Sequence, residues 1–462
     1  VNFEMPEQLP EPNVFAGTTS RYDGITLDGN GVPLFEYAGS LRYHPTYIAI
    51  YANNYYLQYY ATQNDPIVND QMREKFLNAS RWLRDNCIYT DYGFCSFRFD
   101  FPVNFWEVED DWTSAMAQGL ALTSLISAAY LTNDSTYVKV AYDALSGFQY
   151  SIESKGVSSY GEDTIWFEEY GSESFSSGVL NGFLFSMSGI RSFQKSYADQ
   201  ALSNSLFDAG ITALEIRLPL FDMGFSSYYN TGPGLPADSS LVAAAKGPYN
   251  DPDSYHELHI YQLGWLASIT SNETLAHWCS KFLSYDFGTL TRSIKVMESG
   301  LWKKIYEVTA SHTDYPENFG PDLVRDENWT YGKYWFSSQS GVYLDVPLNK
   351  DFLDTKFVQE IVISSPDLKS VPDILDVYYL DEFGSENFVS THDVKSTFTV
   401  KRVSQTGAWT SHTYVVPIDK QVDSEKLRLY FNSKTSIAIR EINVHYERNK
   451  LVDLIKTVYT YQ

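Results

Sequence analysis

The stretch Ser114-Ala115-Met116-Ala117-Gln118-Gly119-Leu120-Ala121-Leu122-Thr123-Ser124-Leu125-Ile126, running on to Leu131, decides the fold. It is apolar nearly all round, and such a helix is buried on every side. The segment that follows, Tyr137 to Ile152, is different. Val138, Ala141, Leu145, Phe148 and Ile152 recur at spacings of three and four, which makes a single apolar stripe. Asp134 or Ser135 caps that helix. An all-apolar helix followed by an amphipathic one is what an inner and an outer ring of helices need.

The alternation repeats outward in both directions. Helices are predicted over 44–63 with 68–86, 112–131 with 135–152, 175–195 with 197–217, and 255–270 with 272–286. Extended aromatic stretches lie between the pairs: Tyr92 to Phe97, Ile165 to Tyr170, and Gly224 to Tyr229. A period of roughly sixty residues, helix pair plus hairpin, predicts an incomplete α/α toroid with β-hairpins, because one pair cannot bury its apolar face alone. The hairpins would gather at one mouth, where a cleft lined with Tyr and Trp suits sugars.

Composition changes after about residue 310. His312 to Asn328 is rich in Asp, Pro, Glu and Asn and reads as a linker. Short β-rich runs follow at 357–363, 377–380, 398–403, 427–431 and 437–446. In the last, Ile442, Val444 and Tyr446 alternate with Glu441, Asn443 and His445. Short strands so spaced predict a β-sandwich. Leu451, Leu454, Ile455, Val458 and Tyr459 stand at helical spacing and predict a short terminal helix. The expected organisation is mainly α plus β: a helical domain over 1–310, a β-sandwich over 311–450 and a helix over 451–462.

The 462 residues carry 34 Lys+Arg against 58 Asp+Glu, a net charge of −24. That excludes a nucleic-acid binder relying on bulk positive charge. With 44% hydrophobic residues the chain has material for large cores, which excludes disordered and disulfide-scaffold classes. No membrane span is expected, on the reading that no stretch of ~18 uncharged apolar residues occurs. A start at Val1 rather than Met is what a removed leader or a trimmed chain would give. Cys87, Cys95 and Cys279 form no metal cluster. Cys87 and Cys95 flank the turn-like Asp91-Tyr92-Gly93, so a hairpin disulfide and three buried thiols both remain open. Sequons at Asn78, Asn133, Asn272 and Asn328 are near chance in so Asn- and Ser-rich a chain and settle no compartment.

Three clusters invite chemistry. His256-Glu257-Leu258-His259 places two His at i and i+3, but its Glu is not where a His-Glu-X-X-His metalloprotease has it and no third ligand is evident. Hydrogen bonding in a polar cleft is the better reading, and no metal is expected. Glu107, Glu109, Asp110 and Asp111 precede a helix start, where carboxylates need no functional reason. Glu168-Glu169-Tyr170 ends an aromatic strand, so adjacent side chains point to opposite faces. One Glu faces the site and the other the scaffold. Simple aromatic packing is the alternative for Tyr170 and Tyr229, since the chain holds 36 Tyr.

Three blocks resemble the C-terminal catalytic domain of the D-glucuronyl C5-epimerases. They are Trp112-Thr113-Ser114-Ala115-Met116-Ala117-Gln118-Gly119; Trp166-Phe167-Glu168-Glu169-Tyr170 running to Val179-Leu180-Asn181-Gly182-Phe183; and Leu218-Pro219-Leu220-Phe221-Asp222-Met223-Gly224 reaching Tyr255-His256, His259-Ile260 and Gln262-Leu263. Order and spacing match over roughly 105–285. The resemblance implies an α/α barrel and conversion of D-glucuronate to L-iduronate within heparosan-like chains. It implies catalytic roles for Glu169, Tyr170, Tyr229 and Tyr255. It places Asn181 and His259, with His256, Trp166 and Glu168, near the substrate. No cofactor is implied. A glucuronate-containing polysaccharide is the partner, a homodimer is compatible, and the location implied is secreted, periplasmic or the secretory-pathway lumen. The chain departs from the animal enzymes at Gly171 (Pro there), at Asn230-Thr231-Gly232 (a basic residue there) and at Asp253-Ser254 (Trp-Asp there), and its β-rich part follows the helical one.

The chemistry implied is removal of the hydrogen on carbon 5 and return of a proton to the other face, with negative charge developing toward the carboxylate. Two groups, one per face, are required. Glu169 is the expected base, Tyr255 the acid, and Tyr170 and Tyr229 donors to the enolate. A phenol near pKa ~10 donates readily but is a poor base without a nearby cation, for which Arg81, Arg84, Arg98 and Lys246 are the candidates. A chain at −24 suits a weakly charged glucuronan better than a highly sulfated one. Competing readings are a uronate polysaccharide lyase, which shares the first proton abstraction, then a glycoside hydrolase, then a non-catalytic glycan-binding protein.

Overall fold

The computed structural model describes the chain except for residues 1–4, 7, 17–24, 38, 63, 104–107, 162–163, 198–200, 223–226, 232–254, 294, 299–300, 305–307, 322, 324–333, 349–356, 368, 395–398, 404–409, 423, 425 and 447–462. The chain divides into two compact units: Val1–Arg217 with Thr231–Leu235, and Leu218–Asn230 with Pro236–Gln462. Both helices and strands contribute, and among the described residues no sheet closes on itself.

Among the described residues the first unit holds six α-helices: α1 Pro45–Ala61, α2 Pro66–Asp85, α3 Ala115–Thr132, α4 Ser135–Ser146, α5 Leu180–Ser196 and α6 Ala201–Arg217. Their starts follow local chemistry. Pro45 and Pro66 stand at first-turn positions, where a missing N–H is harmless. Ser114, Asp65 and Asp134 cap α3, α2 and α4 by accepting first-turn N–H groups. α3 is buried from Ala115 to Ala129. It corrects the expectation that no segment is long and apolar enough to cross a membrane: Ala115–Thr132 passes on length and hydropathy, yet 83% of it is buried inside the protein. Its companion α4 buries one stripe through Val138, Ala141 and Leu145. α3 and α5 cross with their backbones touching. A Cβ on Gly189 would fall 1.8 Å from the Gly119 carbonyl oxygen.

Short strands connect the helices: β1 Thr26–Leu27, β2 Pro33–Tyr37 and β3 Ser40–Arg42 form one antiparallel sheet, and β4 Ile88–Tyr89 with β5 Cys95–Ser96, β6 Arg98–Phe99 with β7 Trp112–Thr113, and β8 Ser158–Gly161 with β9 Thr164–Phe167 form three ribbons. Cys87 and Cys95 are joined by a disulfide across the β4–β5 hairpin, which resolves the alternatives left by the sequence; Cys279 is a buried free thiol. Gln118, inside α3, ties these parts together. Its Nε2 donates to the Cys95 and Ala144 carbonyls at 2.7 and 2.8 Å, and its Oε1 accepts from Phe97 N–H at 3.2 Å.

The second unit contains α7 Tyr255–Thr270 and α8 Glu273–Ser293, the ribbon of β10 Lys295–Glu298 with β11 Leu301–Lys304, and further strands: β12 Thr309–Ala310, β13 Trp335–Ser337, β14 Val342–Pro347, β15 Phe357–Ser365, β16 Ile374–Leu380, β17 Glu386–Asp393, β18 Thr399–Val403, β19 Thr410–Gln421, β20 Lys426–Asn432, β21 Ile437–Ile439 and β22 Glu441–Tyr446. Two larger antiparallel sheets result, of order β12-β14-β20-β16-β17 and β18-β19-β15-β22, with β13 and β21 paired as a separate ribbon. Alternating residues of both enter one apolar core, among them Leu344, Val346, Leu427, Leu429 and Phe431 from the first and Ile361, Ile363, Val416, Ile442 and Val444 from the second. Strands β10 to β14, β17 and β19 lie outside the predicted runs. The predicted terminal helix over 451–462 lies outside the described residues, as does most of the 312–328 linker's second half.

Candidate active site

In the first unit the residues of interest sit where β9 ends and α5 begins. Trp166 lies on β9 and is fully buried, stacked on Phe183 with ring centroids 4.0 Å apart. The next two acidic residues diverge, as strand alternation requires. Glu168, 1% exposed, accepts from Ser159 Oγ, Ser176 Oγ, Ser177 Oγ (2.7 Å) and Gly178 N–H (3.0 Å). Both of its oxygens are thereby engaged in holding the 172–178 loop, and its own carbonyl receives Ala115 N–H at 2.7 Å. The carboxylate is committed to the scaffold.

Glu169 takes the other direction. It is buried, and its side chain packs on the first turn of α5, where Asn181 and Gly182 lie. A carboxylate there is favoured by the partial positive charge of the helix N-terminus. Tyr170 is half-buried and stacks on Trp112 (5.6 Å), which in turn stacks on Phe99 at 3.8 Å and donates its Nε1–H to the Phe101 carbonyl. Gly171 donates its N–H to the Thr113 carbonyl at 2.9 Å, a bond that the Pro of the resembling enzymes cannot make.

In the second unit, Tyr255 opens α7 and its ring lies 4.7 Å from that of Tyr229. The structure thus brings those two phenols together. Behind them, Ser227 bridges the histidines: its N–H donates to His256 Nδ1 (3.0 Å), while its Oγ lies 2.8 Å from His256 Nδ1 and 2.9 Å from His259 Nδ1. His256 Nε2 reaches the Phe282 carbonyl at 3.2 Å, so that nitrogen carries the proton and the ring is neutral. Burial pushes His256 down to about 4 and holds His259 well below its usual value. The pair is held by hydrogen bonds, with the Ser227 hydroxyl between them.

Sequence reasoning missed three groups. Arg217, the last residue of α6, is 5% exposed; its guanidinium lies 3.9 Å over the Trp166 ring and donates to the Thr231 carbonyl at 3.1 Å. Burial lowers its pKa to about 10, against the opposing pull of Glu168, so it stays charged at neutral pH. An arginine immediately ahead of the apolar run Leu218-Pro219-Leu220-Phe221 was the available signal. The cations expected from sequence are elsewhere: Arg81 bonds Asn78, Arg84 pairs with Asp85 and Asp134, Arg98 pairs with Asp111, and Lys246 lies outside the described residues. Tyr47, 45% exposed and stacked on His44 at 4.1 Å, is the second: burial and then the charge of Glu169 raise its pKa, which places the phenol within electrostatic reach of that carboxylate. Ser227 is the third, and nothing in its sequence context marks it.

A buried carboxylate in the first unit, and two adjacent phenols with neutral imidazoles in the second, are groups suited to proton transfer and hydrogen bonding. Residues 90–284 match the family described as D-glucuronyl C5-epimerase C-terminus, which agrees with the resemblance of the three blocks. A D-glucuronyl C5-epimerase of Caenorhabditis elegans is 32% identical over 188 residues, covering 38% of this chain and 29% of that protein. An uncharacterized protein of Methanocaldococcus jannaschii is 26% identical over 193 residues, covering 41% of this chain and 57% of that one. The chain therefore spans less than two thirds of either relative. Among solved structures, the family 32 carbohydrate-binding module of Clostridium perfringens NanJ in complex with galactose covers 30% of this chain and 92% of its own at 16% identity, with a TM-score of 0.22, too slight a likeness to bear on fold or ligand.

Proposed function

We propose that the chain is an isomerase that inverts carbon 5 of D-glucuronate residues to L-iduronate within a heparosan-like glucuronan. The observation that carries this reading is the family match over 90–284, a span that contains Glu169, Tyr170, Asn181, Tyr229, Tyr255, His256 and His259. Glu169 removes the carbon-5 proton, leaving the electron pair delocalised into the adjacent carboxylate. Tyr255 delivers a proton to the opposite face and takes it back in reverse. Tyr170 and Tyr229 donate hydrogen bonds to the enolate oxygens, and Asn181 and His259 contact the sugar. The adjacency of Tyr229 and Tyr255 supports their acting on one substrate group. Glu168 and Trp166 act as positioning residues, since the Glu168 oxygens are taken by internal donors and Trp166 lies beneath Arg217.

The same reading has the helix pairs forming an incomplete α/α toroid over 1–310 and the two sheets a β-sandwich over 311–450. The Cys87–Cys95 disulfide supports an oxidising location: secreted, periplasmic or secretory lumen. The test is incubation with heparosan in heavy water, followed by proton NMR. Deuterium at carbon 5 with iduronate signals and intact chains is the expected result. Unsaturated uronate ends would instead make the protein a lyase, and new saturated reducing ends a hydrolase.

A further inference from the structure

Away from these residues, a second cluster stands in the second unit. His277 on α8, Glu360 on β15 and His445 on β22 each offer a ligand atom, and those atoms lie within 4.8 Å of one another. We propose that they form a binding site for one divalent transition-metal ion of the zinc class. The two imidazole rings face a common space, with centroids 5.2 Å apart. His445 Nδ1 lies 3.2 Å from Glu360 Oε1. A carboxylate oxygen and an imidazole nitrogen at that separation are spaced as two ligands of one tetrahedral ion, which would take the place of the proton between them.

The local charge permits a cation. Lys281 Nζ lies 3.0 Å from Glu360 Oε1 and 3.2 Å from Asp222 Oδ2. Two carboxylates against one ammonium leave a net negative charge before any ion arrives. Imidazole donors select zinc, cobalt, nickel or copper over calcium and magnesium, which take oxygen. Three protein ligands leave a fourth position for water. His277 and Glu360 are half-buried, which leaves a way in.

The site joins what the family match separates. His277 lies inside the matched 90–284 segment, while Glu360 and His445 lie on strands beyond it. An ion there would clamp α8 to β15 and β22, independently of the proposed reaction. Ligands at 277, 360 and 445 are too far apart in the chain for any local spacing to show them.

The experiment uses the full chain, dialysed against a chelator and then titrated. Zinc is expected to bind at one equivalent by calorimetry and to raise Tm increasingly with its concentration, while magnesium and calcium do neither. Cobalt is expected to give the intense visible bands of a four-coordinate site. His277→Ala, on a half-buried position, is expected to keep the wild-type circular dichroism, lose those bands and bind zinc at least ~10-fold more weakly. Glu360→Gln is expected to weaken zinc similarly. Absence of saturable zinc binding, weak six-coordinate cobalt bands, or undiminished affinity in His277→Ala would each overturn the proposal.

Discussion

Gly182 lies so close to Glu169 that a Cβ built on it would fall 2.3 Å from the Glu169 Oε2. The first turn of α5 can carry no side chain at that point while the carboxylate holds its place. Gly182→Ala therefore tests the role of Glu169 without touching it. Ala in a helix gains about 1 kcal/mol over Gly, and the clash opposes that gain. We expect a Tm within a few degrees of wild type and a loss of carbon-5 exchange of at least ~100-fold, because a misplaced base forfeits its geometry. Normal exchange in heavy water would remove Glu169 from the mechanism.

Tyr255→Phe keeps the ring that packs on Tyr229 and deletes the proton. General acid catalysis contributes about 10²–10⁴-fold, so exchange should fall by that range with the melting curve unchanged. Tyr229→Phe should have a smaller effect on kcat, as expected of a hydrogen-bond donor.

Glu168 has four internal donors, and its removal leaves them buried and unpaired. Glu168→Ala should destabilise the protein by about 3 kcal/mol or more, measured by urea unfolding. Ser177→Ala, which deletes one donor, should cost about 1 kcal/mol. A wild-type stability for Glu168→Ala would show that the loop is held some other way.

The buried histidines set an acid limit. His256 has its pKa depressed by burial to about 4, so between that value and its unfolded ~6.5 the unfolded chain binds the extra proton. Stability must then rise with pH across that window. At pH 5 the His256 contribution amounts to about 2 kcal/mol of lost stability relative to pH 8. His259, depressed for the same reason, adds in the same direction. Glu360 behaves differently. Burial would raise its pKa, but the His445 hydrogen bond and the Lys281 charge hold it at about 2, so its contribution is lost only as pH falls from the usual carboxylate range toward 2. Tm measured from pH 8 to pH 4 should fall steadily, and a flat profile would contradict neutral, buried imidazoles.

Reducing the Cys87–Cys95 bridge frees a hairpin of eight-residue separation. Loop-closure entropy puts its contribution near ~2.5 kcal/mol. Cys87→Ala with Cys95→Ala, or simple reduction, should lower Tm with no change in the carbon-5 exchange rate at a temperature where the protein stays folded.

Much of this architecture is local and could be read directly. The apolar run from Ser114, the stripe of Val138, Ala141 and Leu145, and the caps Asp134 and Pro66 all act within a few residues, so α1 to α8 lie close to their predicted spans, while the short helix Pro316–Phe319 falls in the stretch read as a linker. The alternation of Ile442 and Val444 with Asn443 and His445 likewise shows as β22. What tertiary structure decided are pairings between residues far apart: which of Glu168 and Glu169 serves the scaffold, Arg217 over Trp166, Ser227 between two histidines, the choice of disulfide over thiols, and the meeting of His277, Glu360 and His445. Helical and strand periods report which face is buried; only the packing of those faces determines which distant polar groups share the same buried space, where each must find a partner.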